Sequence, residues 1–194
     1  MSSPIISADT LPKMLIKNGL NKIILKMDIK RVLIEFIVRN NLIPIKTRWR
    51  KSVSGVGRLF NDVYHMVEPD DRRKLAILLY EWGLNDVEEV VKTLRIKRDL
   101  HGCALALLAA NSVFGIRSKI VKEGKDEVVI HATKCLWKDK KNWTPEVCAT
   151  IDQYDIGLVA GINKSIRYYC LKRRSRGDPV CEVILKSAGE ESFG

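Results

Sequence analysis

The sequence lacks any apolar run approaching the length that crosses a bilayer, about 18–20 residues. Its first residues, Met-Ser-Ser-Pro-Ile-Ile-Ser, lack the basic start and apolar stretch of a secretory leader, so the expected location is the cytoplasm. It contains no Gly-x-Gly-x-x-Gly, no Gly-x-x-x-x-Gly-Lys-Ser/Thr, no His-Glu-x-x-His and no Gly-x-Ser-x-Gly. Those absences argue against dinucleotide, kinase, zincin and serine-hydrolase chemistry. There is no internal repeat and no low-complexity stretch. No Cys-x-x-Cys pair occurs, and the cysteines number five, an odd count that speaks against a disulfide framework. Metal binding, reactivity or plain burial remain open for each thiol.

What is present is a core's worth of apolar residues, 46% of 194, and an uneven charge. Residues 1–60 hold 12 Lys and Arg against 3 Asp and Glu, so most of the net +11 belongs to that segment. Apolar residues at three- and four-residue steps predict helix over 10–40, with Asp28 as a cap for a second stretch from about 29 to 39. Residues 44–55 read as a basic loop. Helices resume over 56–114, with one at 72–81 started by Asp70 or Asp71. Gly83 is the expected stop, Asn85 or Asp86 the restart, and Cys103–Phe114 a helix buried on most sides.

After Gly115 the period changes. Residues 116–122 and 128–132 read as strands around a turn at Glu123-Gly124-Lys125-Asp126. Thr144-Pro145 opens a helix reaching Ala160 and ended by Gly161. Residues 165–173 and 180–186 form a last hairpin around 175–179. The expected class is therefore α+β, a helical N-terminal half followed by a ββαββ antiparallel unit. The expected divisions are a basic helical segment at 1–60, helices packing on the sheet at 61–115, the cysteine-bearing domain at 116–187, and a tail at 188–194.

Four cysteines fall in that unit: Cys135, Cys148, Cys170 and Cys181. A hairpin closing about 175–176 sets Cys170 opposite Cys181. Cys148, Asp152 and Asp155 share one helical stripe by the i, i+4, i+7 rule. Thiolates with one acid suit zinc or iron, with His131 and His101 as further candidate ligands. Scattered cysteines on a core face are also ordinary packing.

The pieces Cys135-Leu136-Trp137, Cys148 with Asp152 and Asp155, Gly161-Ile162-Asn163 and Gly177-Asp178-Pro179-Val180-Cys181 stand in an order that resembles the L-2-amino-thiazoline-4-carboxylic acid hydrolase-like family. That family is similar to the vinyl-reductase-type small-molecule-binding domains, and the resemblance covers roughly 100–186. It implies either a small-molecule domain that opens a cyclic thiazoline or amidine carboxylate, or a non-catalytic ligand-sensing module. In the first case Asp152 or Asp155 is the base, and a thiolate-held metal the Lewis acid. In the second, Cys148 and Cys181 match zinc ligands and Cys170 stands where the domain has a glutamate. Arg173, which cannot bind a metal, stands where it has a cysteine. Trp137, Tyr168 and Arg167 are the candidate ligand contacts; Trp143, Tyr154 and Tyr169 could also wall a pocket. Lys46, Arg48, Arg50 and Lys51 around Trp49 are candidate nucleic-acid contacts, and the N-terminal helices a candidate homodimer arm.

Overall fold

The computed structural model describes residues 29, 31–40 and 42–188. The expected helix over 10–28 and the tail from 189 lie outside the described residues. The chain divides into two compact units, 1–48 and 49–194. In the first, residues 31–39 are helical (α1) and expose Val32, Leu33, Ile34 and Phe36.

The next helix, α2 (Ile45–Met66), replaces the basic loop expected over 44–55. Lysine and arginine are good helix formers. Val53, Gly57, Asn61 and Tyr64 then recur at four- and three-residue steps to give a buried stripe. The serines and Gly55 that suggested a loop lie on the solvent side or at its margin. Helix α3 (Pro69–Asn85) starts earlier than expected, with Glu68 as N-cap and Pro69 in its first turn. It also runs through Gly83. Asp86 starts α4 (Val87–Leu94), and Arg95 ends it in the left-handed conformation. Asp99 caps α5 (Leu100–Val113), accepting from the Gly102 N–H at 2.8 Å.

The sheet follows: β1 (Arg117–Glu123), β2 (Glu127–Lys134), then α6 (Pro145–Ile162), β3 (Ile166–Lys172) and β4 (Cys181–Ser187). Thr144 caps α6 and Pro145 opens it, as the sequence predicts. The class is α+β with helices first, and the strand order is β1-β2-β4-β3, all antiparallel. Alternation along the strands puts Val128, Ile130, Ile166, Val183 and Leu185 on one face. That face receives Cys103, Ala104 and Leu107 of α5 and Val159 and Ile162 of α6, closing the main core.

Gly83 and Gly157 do not stop helices; they let two of them touch. A Cβ on Gly83 would lie 2.1 Å from the Tyr154 carbonyl oxygen, and one on Gly157 2.0 Å from the Tyr80 carbonyl oxygen. Helix α6 therefore presents 154, 157, 158 and 161 to α3 and α4, and keeps 148, 152, 155, 159 and 162 for the sheet side. Alanine at Gly157 or Gly83 must push the backbones apart, so each substitution should cost about 1–3 kcal/mol despite alanine's better helix propensity. Gly55, with open space around its missing side chain, is the internal control: Gly55→Ala should gain about 0.5–1 kcal/mol. Chemical denaturation of the three variants checks this, and a stabilised Gly157→Ala would contradict the close approach.

Candidate functional site

The C-terminal hairpin carries Cys170 and Cys181, in a register two residues from the one expected. Cys170 pairs with Val183, and Cys181 with Ala132 of β2. The chain leaves β3 through a 3₁₀ turn at Arg174–Arg176 and a left-handed Gly177, which makes the connection asymmetric. A slip of two keeps every side chain on its face, so both cysteines still point to the α6 side.

There they meet a buried ion pair. Arg173 Nη1 lies 2.5 Å from Asp152 Oδ2, with both side chains largely buried. Burial pushes Asp152 up, against the opposing pull of Arg173. Tyr168 is pushed well up, first by burial and then by Asp152 and Asp155. Asp155 is pushed well up by burial and by the Asp152 charge. The guanidinium pairs with Asp152, and Asp155 beside it is raised with no cation of its own to lower it.

The thiols occupy this neighbourhood without converging. The Cys135 sulfur accepts from the Trp137 N–H at 3.4 Å, Cys148 from the Trp143 indole N–H at 3.0 Å, and Cys181 from the Arg174 N–H at 3.3 Å. Cys170 donates to the Lys172 carbonyl at 3.4 Å. Each sulfur has its own partner, and burial raises all four thiol pKa values. Among the described residues no group of three His, Cys, Asp or Glu side chains is placed to hold a metal ion. The donor set therefore does not fit the zinc or iron that the family resemblance implies. His131 pairs with Glu182 at 2.7 Å on the opposite sheet face from Cys181, and His101 hydrogen-bonds to Glu123.

The aromatic candidates separate. Trp137 is buried, donates its indole N–H to the Val53 carbonyl at 2.9 Å and packs on Phe114 and Trp143. It is a staple of the second core cluster, with Gly57 admitting its ring. Tyr168 lines the inner sheet face beside Asp152. Arg167 is exposed and donates to the Lys164 carbonyl at 2.7 Å.

Space for a ligand lies on the other side of α6. A half-open cleft of about 360 Å³ lies between α4, α5 and α6. Ala106, Ala109 and Ala110 leave it room, and Val90, Leu94, Phe114 and Leu158 give it apolar walls. Its rim carries Glu89 and a Tyr154 hydroxyl that donates to Asp86 at 2.9 Å. Tyr154 is among the pocket aromatics expected from the sequence, whereas the alanines signal only a buried helix there and Asp86 only a helix start. Their convergence depends on the α3–α6 approach, which no local pattern announces. A larger groove of about 500 Å³ between α2 and α3 is lined by Val63, Leu75, Ile77 and Leu78 and has no such polar end beyond surface charges.

No protein-family model matches this chain, and no curated protein matches it. Solved structures do. The phenol-responsive sensory domain of the transcription activator PoxR, determined with phenol, is 17% identical over 70% of this chain and 74% of its own, with a TM-score of 0.52. A trafficking protein particle complex subunit 3 from Naegleria fowleri, covalently bound to palmitic acid, is 14% identical over 73% of this chain and 96% of its own, also at 0.52. These likenesses show a shared fold.

The titrations expected here are specific. A carboxyl whose pKa rises on folding contributes most below its unfolded value and loses stability as pH climbs through the folded one. Asp155→Asn should therefore raise the melting temperature near pH 7, with the gain shrinking toward the unfolded value of 3.8. A gain that stays constant over that range would contradict the assignment. Burial lifts Cys103 and Cys170 to about 12. Both should resist a thiol reagent at neutral pH in the folded chain and react at once in denaturant, as peptide mass mapping will show.

Proposed function

We propose that the chain is a small-molecule-binding regulatory module rather than a catalyst, with its ligand seated in the cavity between α4, α5 and α6. The observation that carries this is the cleft itself: a half-open, mostly apolar recess within the ~300–1,000 Å³ range of ligand sites, with one acid–tyrosine pair at its rim. The shared fold with a phenol-responsive sensory domain supports the same reading. A small aromatic alcohol suits the lining. Its ring would lie on the alanine floor beside Phe114, and its hydroxyl would donate to Asp86 or Glu89. Helix α6 then gives the module an output. It carries Tyr154 and Leu158 to the cavity and Asp152 and Asp155 to the ion pair and sheet on its opposite side.

Calorimetric titration of the full chain with phenol tests this, with palmitate as the second probe because the other fold neighbour carries that acid. Phenol should bind with a dissociation constant below ~1 mM, equivalent to about 4 kcal/mol. Ala109→Phe should fill the cavity and remove the binding while leaving the melting temperature equal or higher. Asp86→Asn should weaken phenol at least several-fold. Binding of phenol that Ala109→Phe leaves intact would move the ligand elsewhere, and binding of neither probe would overturn the proposal.

A further inference from the structure

Helix α2 carries three distinct stripes. Val53, Gly57, Asn61 and Tyr64 are buried, and Val56, Leu59, Val63 and Met66 are apolar and exposed. Lys51, Ser54, Arg58 and His65 recur at three-, four- and seven-residue steps along a third, polar side, with buried Asn61 at its margin. The loop between β2 and α6 is fastened along that third side. Trp137 donates to the Val53 carbonyl, Lys140 Nζ lies 2.5 Å from Ser54 Oγ, and Asn61 Nδ2 donates to the Lys141 carbonyl at 3.1 Å. His65 Nε2 lies 2.8 Å from the Asn142 carbonyl oxygen. Asn142 takes a left-handed backbone to make this closure, with φ of 61°.

The fastening sets two rows of cations side by side: Arg50, Lys51 and Arg58 on the helix, and Lys138, Lys140 and Lys141 on the loop. Lys138 pairs with Asp139. The other five have no ion-pair partner among the described residues. Arg50 and Arg58 are separated by eight residues of helix, about 12 Å along its axis. The structure assigns this ridge to the sugar–phosphate backbone of duplex nucleic acid, bound without regard to sequence.

The composition of the ridge favours that polymer over a lipid surface. Basic helices that lie on membranes place apolar side chains among or beneath their cations. Here the exposed or half-exposed side chains among the cations are Ser54, His65 and Asn142, hydrogen-bonding types that contact phosphate and sugar, with Asp62 and Asp139 the two acids beside them. The exposed apolar side chains of α2 fall on a different stripe. Contacts to phosphate alone give affinity without base readout.

The test is fluorescence anisotropy of the full chain with labelled duplex DNA of unrelated sequences, from 50 to 200 mM salt, beside flotation with vesicles containing phosphatidylserine. Five phosphate contacts predict a log–log salt slope of about −4.5, a loss of roughly 500-fold in affinity across that range. The Arg58→Glu/Lys141→Glu double variant should lose tenfold or more at the lower salt, with an unchanged melting temperature. Lys125→Glu, in the exposed turn at the far end of β2, should bind as the parent does. No binding at 50 mM, an equal loss in the Lys125→Glu control, or flotation with vesicles but no shift with DNA would each overturn the assignment.

Discussion

Everything in the second unit is arranged around the point where α3 and α6 meet without side chains between them. A missing Cβ on each helix lets carbonyl and amide of the facing backbone come to a distance no larger residue permits. Two helices this close behave as one slab. The slab fixes the rotation of α6, and that rotation decides which of its residues face the sheet and which face the cavity. Had Gly157 been alanine, α6 would have to move outward, and the spacing of both sites with it.

Helix α6 is consequently a partition with unlike neighbours. On one side are an acid–tyrosine pair and an alanine-floored space; on the other are a guanidinium, two acids, a phenol and a set of partly buried thiols. The second side is costly, because burying charge in a core is favourable only when it is well paired. Arg173 offsets Asp152 but leaves Asp155, which burial and the Asp152 charge push well up, without a cation of its own.

The sheet half was largely legible in the sequence. Alternation found all four strands, Thr144-Pro145 marked the start of α6, and the odd, scattered cysteines were placed in one region. Parity protected the inner-face assignment even where the register was off by two, because the 3₁₀ turn after β3 has no simple sequence signature. The helical half was less legible for one recurring reason. Glycine and serine were read as punctuation. At Gly83 and Gly161 glycine marks close packing, and at Gly55 it is merely tolerated in a helix. The cavity was invisible because its floor is alanine, which carries no chemical signal, and its polar rim comes from residues 68 positions apart.

The strand order has a consequence for how the molecule comes together. Both hairpins, β1–β2 and β3–β4, join strands close in sequence, so their loops are short and inexpensive to close. The central seam between β2 and β4 joins strands separated by the whole of α6 and β3. Its closure is the non-local step, with the largest chain entropy to overcome before any contact rewards it. Until α6 has docked, β2 and β4 each offer an open edge beside a row of Val, Ile and Leu. The helix that organises the finished core is thus also what shortens the interval in which two apolar strands stand uncovered during synthesis.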